Sequence, residues 1–548
     1  MCGFFFSRND PNVNLTTILE LMKHRGPDST KIILSENIKC GFNRLSIVNN
    51  NTDSDQPMLD SSGRYTLLFN GEIYNYKTIR AKIISDYGIN FRTTSDTEVV
   101  LNALILYGFQ IVDEFDGIFS IVFYDKNTDN IVLIRDHLGV KPLYYSVQNN
   151  RLYISSEIKP IAKCIEVEID ANACASFLSF GVSEGESTVF HGVNKVLPGQ
   201  IVKIDRNSIK EVEKYNRFIY NTLSNVGINK VRTLLEESIA LQVPDINYGI
   251  MFSGGLDSSL LLALTHQNHG FSGTFSINVD HKEMSEKVHQ KSVLDKLHLT
   301  SKSNIIENGI KDFSLDSLSR VASRYDLPIV HPNYIGSFLL AERASKKGIK
   351  VLLSGEGADE VFFGYRWFLD DSEDYLQYVK HDDIKSLILG FDDTKAIDFS
   401  NLRIEEKFQQ IYIQKWLTRQ DLAGMANSVE IRVPFLSSKL VRFVNKIKSH
   451  EKLKNNTEKF YLKKISELYF ENDFIYRKKV GFDYPLNEWI TQEHYDFLLN
   501  HHELFNIKRL KELWNNRRAT YYASRCLFIL VMYALWMENL KQGENNYE

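Results

Sequence analysis

The sequence predicts two α/β domains of different character: a sheet-rich first third, then a parallel α/β fold that turns helical toward its C-terminal part. Three observations predict this. The chain has 548 residues, more than one hydrophobic core supports. Residues 42–160 are dense in short β-branched and aromatic runs closed by Asn, Asp and Gly, which is hairpin chemistry. After about residue 205, strand-like runs alternate with longer helical patterns, as they do around a parallel sheet.

In the first part, Tyr65-Thr66-Leu67-Leu68-Phe69 ends at Asn70-Gly71, which read alone is a plain hairpin turn. Ile118 to Tyr124 is joined to Ile131 to Ile134 through Lys126-Asn127-Thr128-Asp129-Asn130, and Leu143 to Val147 and Leu152 to Ser155 flank another polar turn. Helices are expected near Leu15 to Lys23 and Asp96 to Tyr107. In the second part the expected strands are Tyr248 to Phe252, Thr274 to Val279 and Lys350 to Leu353, with helices at Ser258 to His266 and Ile335 to Lys346. From about Asp371 the apolar spacing is mostly helical. A polar, charged stretch after Pro198-Gly199 places the boundary near Lys203 to Asn221, giving domains 1–205 and 206–548.

Composition is that of an ordinary globular protein, 43% hydrophobic and 24% charged. The formal charge of -4, from 65 basic and 69 acidic residues in both halves, leaves no field to gather nucleic acid or an anionic membrane. The longest apolar run, Cys526 to Met537, falls short of the roughly 20 residues that span a bilayer and reads as a buried core helix. Met1-Cys2-Gly3 does not open a secretory signal. Five cysteines with no Cys-x-x-Cys pair argue against structural zinc and fit a reducing cytoplasm, the expected location.

Removal of Met1 would leave Cys2 with a free α-amine beside its thiol. Such an amine titrates near pH 8, at roughly 7.7–8.0, so one residue can supply both nucleophile and base. Taken alone, a cysteine is more often buried and inert.

Between the Tyr248 to Phe252 strand and the helix after it lies Ser253-Gly254-Gly255-Leu256-Asp257-Ser258, a phosphate cradle. Glycines let the backbone approach phosphate oxygens, and serine hydroxyls and helix N-terminal amides donate to them. The chain has no Gly-Lys dipeptide, which rules out a Walker A loop. A second strand runs into Ser354-Gly355-Glu356-Gly357-Ala358-Asp359-Glu360. Magnesium needs one or two carboxylates plus substrate phosphates and water, so Asp257 and Asp359 are a sufficient protein contribution.

Several segments occur in one order: His24-Arg25-Gly26-Pro27-Asp28, Arg44-Leu45-Ser46-Ile47-Val48, Asn70-Gly71-Glu72-Ile73-Tyr74-Asn75, Ser95-Asp96-Thr97-Glu98 and Arg135-Asp136-His137-Leu138-Gly139-Val140-Lys141-Pro142. With the two phosphate-side loops, Val429-Glu430-Ile431-Arg432-Val433-Pro434-Phe435-Leu436 and Glu458-Lys459-Phe460, they resemble the asparagine synthases that use glutamine. The resemblance covers nearly the entire chain. It implies an N-terminal-nucleophile αββα sandwich, the glutaminase, followed by an adenine nucleotide α-hydrolase-like parallel α/β domain whose loop resembles those of enzymes that release pyrophosphate.

The roles implied make physical sense. Glutamine is a zwitterion: Arg44 offers its carboxylate a planar fork, Glu72 and Asp96 offer its ammonium an anion, and Ile47 and Val48 complete the pocket. The oxyanion formed by Cys2 attack would be met by the Asn70 amide and the Gly71 N–H. Phe252, Ser253, Gly254, Gly255, Asp257, Ser258, Ile277, Ser354 and Gly355 are the implied ATP residues, with Mg2+ on Asp257 and Asp359. Glu356 is implied to guide ammonia, and Lys459 to neutralise charge on the α-phosphate. Asp96 read singly is a helix N-cap, and Arg477-Lys478-Lys479 a solvated or structural run.

The expected partners are small molecules, namely glutamine, ATP and aspartate or another carboxylate, with a homodimer as a candidate assembly and neither nucleic acid nor membrane. Asn49, Ser437 and the Phe363-Gly364 pair depart from the family pattern, and related chains amidate sugar carboxylates or close lactam rings with the same loops.

Overall fold

The computed structural model describes residues 2–48, 52–205, 208–215, 218–282, 284–369, 377–391, 397–398, 401–478 and 483–545. Asn49 and the Lys479 to Phe482 stretch lie outside the described residues.

Two six-stranded sheets stack in the N-terminal part. The first runs, edge to edge, Asn194–Lys195, Tyr144–Gln148, Arg151–Ser155, Cys2–Arg8, Ile38–Arg44, Ser29–Leu34. The second runs Ser208–Lys214, Gln200–Asp205, Asn130–Arg135, Gly117–Asp125, Tyr65–Ile73, Met58–Leu59. Alternate residues of each strand face opposite ways, so Leu68, Val122 and Leu133 meet Phe4, Phe6 and Ile154 between the sheets. Leu67, Phe69 and Ile121 instead pack outward on the helices Tyr76–Tyr87 and Asp96–Tyr107. Phe5 and Tyr153 pack outward on Leu15–Leu21 and Ala171–Phe180. The layers are helix, sheet, sheet, helix, as expected.

Two local expectations change. Asn70-Gly71 is not a turn: the strand runs through it to Ile73, paired residue by residue with Gly117–Asp125. Ser208–Lys214 pairs with Gln200–Asp205, which carries the second sheet past residue 205.

The second part holds a five-stranded parallel sheet in the order Ser303–Asn308, Gly273–Val279, Tyr248–Met251, Val351–Leu353, Glu430–Arg432. The chain leaves Tyr248–Met251 toward one edge and later returns on its other side, so the ends of Tyr248–Met251 and Val351–Leu353 form the switch point where such sheets bind ligands. Glu430–Arg432 lacks an apolar run and was not expected as a strand. Its charged ends are buried because they pair with one another. The rest is largely helical. Tyr521–Lys541 is long and apolar enough to cross a membrane, yet most of it is buried in the protein, and Cys526 to Trp536 lies in the main core.

Candidate active sites

Cys2 opens its strand and stands opposite Arg44 in the register. Its backbone N–H donates to Asn70 Oδ1 at 3.0 Å, and its carbonyl accepts from Arg25 Nε at 3.1 Å. Asn70 is fully buried, and the other arm of its amide, Nδ2, has no hydrogen-bond partner among the described residues. Such a donor is costly to bury unless something accepts from it. Gly71 has φ +142°, and a Cβ there would stand 1.9 Å from the Ile118 carbonyl oxygen, so only glycine fits. Burial pushes the Cys2 thiol pKa up, while nearby Arg44 pulls it down.

The pocket beside Cys2 is lined by Arg44, Leu45, Ile47, Val48, Gly71, Glu72, Asp96 and Glu430 among others. All six residues expected to bind glutamine gather around Cys2, five on the pocket wall and Asn70 behind it. Arg44 Nη1 lies 2.6 Å from Asp55 Oδ1 and Nη2 donates to the Val48 carbonyl at 3.3 Å, which aims the fork. Asp96 is not the N-cap of its helix. Ser95 caps it, and Asp96 Oδ2 accepts from the Ile73 N–H at 3.2 Å inside the first turn. Burial raises the Asp96 pKa to about 6. Glu72 is pushed up by burial and pulled down by Arg432, its ion-pair partner from the edge strand of the parallel sheet.

At the switch point, Gly254 has φ +86°, and the Ser253 and Ser258 hydroxyls stand 3.0 Å apart. Among the described residues no side chain caps the helix Leu256–Asn268, leaving its first amides available to an anion. Gln290 Nε2 donates to the carbonyls of Ser253 (3.2 Å) and Ile277 (2.9 Å), and the Phe252 N–H donates to the Phe275 carbonyl at 2.8 Å. A Cβ on Gly355 would approach the Ser258 nitrogen to 3.2 Å, so the two loops touch. The Ser354 N–H donates to the Arg432 carbonyl at 2.9 Å.

Lys459, in the left-handed region at φ +53°, places Nζ 2.6 Å from Asp257 Oδ2 and 2.6 Å from Asp359 Oδ1. Gly364 makes room: a Cβ there would lie 1.9 Å from Asp359 Oδ1 and 2.2 Å from Lys459 Cε. Phe363 is left-handed too, at φ +60°, its ring stacked on Phe368 at 4.0 Å while its carbonyl accepts from the Lys459 N–H at 3.1 Å. Glu356 Oε2 accepts from Arg419 Nη2 at 2.5 Å and from Gln420 Nε2 at 2.8 Å.

Arg419, Gln420 and Asp421 share the helix Ile413–Met425, which separates the two sites. Asp421 pairs with Arg25 at 3.0 Å and Lys141 at 3.4 Å, all three buried. One helix therefore holds Glu356 on one side and, through Arg25, the Cys2 carbonyl on the other.

Residues 1–216 match the family model described as a glutamine amidotransferase domain, and residues 230–538 match the one described as asparagine synthase. The chain belongs to the asparagine synthase family. Asparagine synthetase [glutamine-hydrolyzing] 1 of Bacillus subtilis is 28% identical over 91% of this chain and 89% of its own length. Asparagine synthetase B [glutamine-hydrolyzing] of Escherichia coli is 28% identical, covering 84% of this chain and 77% of itself. A protein named Amidase chry2, from Gibberella zeae, is also 28% identical, over 65% of this chain and 56% of its own. Membership in the asparagine synthase family makes the chain a glutamine-dependent, ATP-using ligase of asparagine synthase type.

Several residues at these sites of the asparagine synthase fold were not singled out for a role from sequence. Of the two readings of the basic run, solvated or structural, Arg477 takes the structural one: Nη2 donates to the Gly254 carbonyl at 3.1 Å and pairs with Glu286 at 3.0 Å. Arg419, Gln420, Asp421 and Arg432 sit in the segment leading into and including the Glu430-Ile431-Arg432 motif, so proximity to that motif was the available signal. Asp55, the partner of Arg44, carried none. Ser437, one of the departures, donates to Asp116 Oδ2 at 2.9 Å, a structural contact between the two halves.

Proposed function

We propose that the protein makes asparagine: ATP and aspartate form an acyl-adenylate with release of pyrophosphate, glutamine is hydrolysed at Cys2, and the ammonia attacks the acyl carbon to give the amide and AMP. The observation that carries the glutamine half is the split use of Asn70, whose Oδ1 holds the Cys2 nitrogen while its Nδ2 stays buried and unpartnered.

Once Met1 is removed, the α-amine of Cys2 takes the thiol proton and is held by Asn70. The thiolate attacks the side-chain amide of glutamine, and the oxyanion accepts from Asn70 Nδ2 and the Gly71 N–H. Arg44 receives the glutamine carboxylate, and Glu72 and Asp96 its ammonium, with Ile47 and Val48 as walls. The intermediate collapses as its C–N bond breaks, ammonia leaving with the proton that the Cys2 amine had taken, and water then cleaves the thioester to glutamate and the free thiol.

In the second half the uncapped helix start, with Ser253, Gly254, Gly255 and Ser258, receives the ATP phosphates, flanked by Phe252, Ile277, Ser354 and Gly355. Asp257 and Asp359 converge on one point and fit magnesium, which takes one or two carboxylates and completes its shell with phosphates and water. Bound there, magnesium would neutralise phosphate charge. Lys459 neutralises charge that develops on the α-phosphate, and Glu356, oriented by Arg419 and Gln420, guides the incoming ammonia. Residues 1–205 with the adjoining edge strand act as glutaminase and the remainder as synthetase.

A second acceptor class, another carboxylic acid, is favoured by Phe363, a departure from the family pattern that takes a left-handed backbone at φ +60° next to Gly364 and accepts from the Lys459 N–H. Pyrophosphate release by the purified protein with aspartate and a panel of carboxylates tests the assignment. Release with aspartate and no better acid supports asparagine synthesis; release only with another acid assigns the second class.

A further inference from the structure

The glutamine pocket is not built by the N-terminal half alone. Its inner wall includes Glu430, and behind Glu72 stands Arg432, both from the edge strand of the parallel sheet. Arg432 is fully buried and every arm of its guanidinium is used. Nη2 pairs with Glu72, Nε lies 2.6 Å from Glu430 Oε1, and Nη1 donates to the Gln242 carbonyl at 2.8 Å. The Tyr74 ring lies 5.4 Å from its charged carbon.

From this geometry, and resting on the reading of the Cys2 pocket as the glutamine site, we infer that Arg432 is a positioning residue for glutamine. It reaches across from the synthetase half, holds Glu72 aimed at the place of the glutamine ammonium, and opposes the burial that raises the Glu72 pKa. Arg432 touches no reacting atom; it acts through Glu72. A fork is suited to this, because it fixes the orientation of the carboxylates as well as their charge. Its main chain serves the other site, since the carbonyl of Arg432 holds the Ser354 N–H in the nucleotide loop. The residue that completes the glutamine pocket is thus fixed to the loop that would hold ATP.

The charged side chains facing Glu72 are Arg432 and Glu430 from the edge strand and Asp96 from the helix Asp96–Tyr107. Burial and the two carboxylates favour the protonated form of Glu72 and raise its pKa; Arg432 opposes them. Removal of the Arg432 charge raises the Glu72 pKa, so glutamine use, which needs the carboxylate, is lost at a higher pH as the solution is acidified.

The test is steady-state kinetics of full-length wild type, Arg432→Met and Arg432→Lys, with glutamine or ammonium chloride as nitrogen source, across pH at fixed free ammonia. Arg432→Met is expected to raise KM for glutamine about tenfold or more, to shift the acid limb of glutamine kcat/KM to higher pH, and to leave KM for ammonia unchanged. Arg432→Lys keeps the charge without the fork: its glutamine KM rises less and its acid limb stays in place. If the Met variant does not fold, the Lys variant decides, since a wild-type glutamine KM there overturns the role of the fork. A folded Met variant with wild-type KM and pH profile overturns the assignment of Arg432 alone. Wild-type protein that hydrolyses no glutamine overturns the reading of the pocket, and this inference with it.

Discussion

Lys459 Nζ lies 2.6 Å from Asp257 Oδ2, and the same ammonium stands 2.6 Å from Asp359. Two carboxylates that would otherwise repel are held together by one charge. Lys459→Met is expected to cut pyrophosphate release about 100-fold or more. It also removes the ammonium that the two carboxylates share, so it is expected to bind magnesium more tightly than wild type in the absence of nucleotide. Isothermal titration with magnesium chloride reads this directly; weaker binding in the variant would show that the two acids do not form the metal site.

The division of labour gives a second expectation. Cys2→Ala is expected to lose glutamine-driven product and keep ammonium-driven product, while Asp257→Asn loses both. Amide formation from each nitrogen source is the measurement, and glutamine use retained by Cys2→Ala would remove the thiol from the mechanism.

Gly71 leaves no room for a side chain, since a Cβ would lie 1.9 Å from a carbonyl oxygen of the neighbouring strand. Gly71→Ala must push two paired strands apart at the oxyanion site. Glutaminase activity is expected to fall by at least about 100-fold, whereas the ammonium-driven reaction is retained. Equal glutaminase activity in the variant would contradict this packing.

Burial raises the Asp96 carboxyl to about 6. The ionised form is the one that receives an ammonium, so function is present above that value and lost as pH falls through it. Glutamine kcat/KM is expected to fall on acidification first as Glu72 is protonated and then more steeply below pH 6 as Asp96 is, by about tenfold per unit for each protonated group, while ammonia-driven synthesis at fixed free ammonia shows neither limb. Asp96→Asn, measured at neutral pH, should resemble the acidified wild type.

Asp421 is shared by two buried cations, Arg25 and Lys141. Asp421→Ala takes the ion pair from Lys141 and leaves Arg25 with Glu157 at 3.1 Å, and loss of one partner in such a cluster costs about 3–5 kcal/mol. Urea denaturation monitored by fluorescence should show a loss of unfolding free energy of that size, read from the midpoint and slope. A loss within error would mean that the cations find other partners.

The sequence made most of the fold legible because its periodicities are clean. The hairpins around Ile118 to Ile134 and the parallel strands Tyr248 to Met251 and Val351 to Leu353 fall where the apolar runs end in Asn, Asp or Gly. The site residues were legible in groups, since Ser253 to Ser258 and Ser354 to Asp359 are short and contiguous. What stayed hidden are pairings across the chain. Arg432 and Glu72 are 360 positions apart, and a buried arginine on a three-residue strand looks in sequence like a surface charge. Asn70-Gly71 misled for the opposite reason: a dipeptide usual in turns is set here inside a strand, where glycine serves close backbone approach.

The Tyr521–Asn545 helix shares a core with Phe5 and Leu19, and Trp536 stacks on Phe190 at 5.8 Å. A ribosome delivers those partners in the opposite order. Until the last helix emerges, the apolar surfaces it will cover stay wet, and the nascent chain must wait with an unfilled slot. A chain cut short before Tyr521, although it would keep both catalytic loops, would leave that core without the helix that closes it.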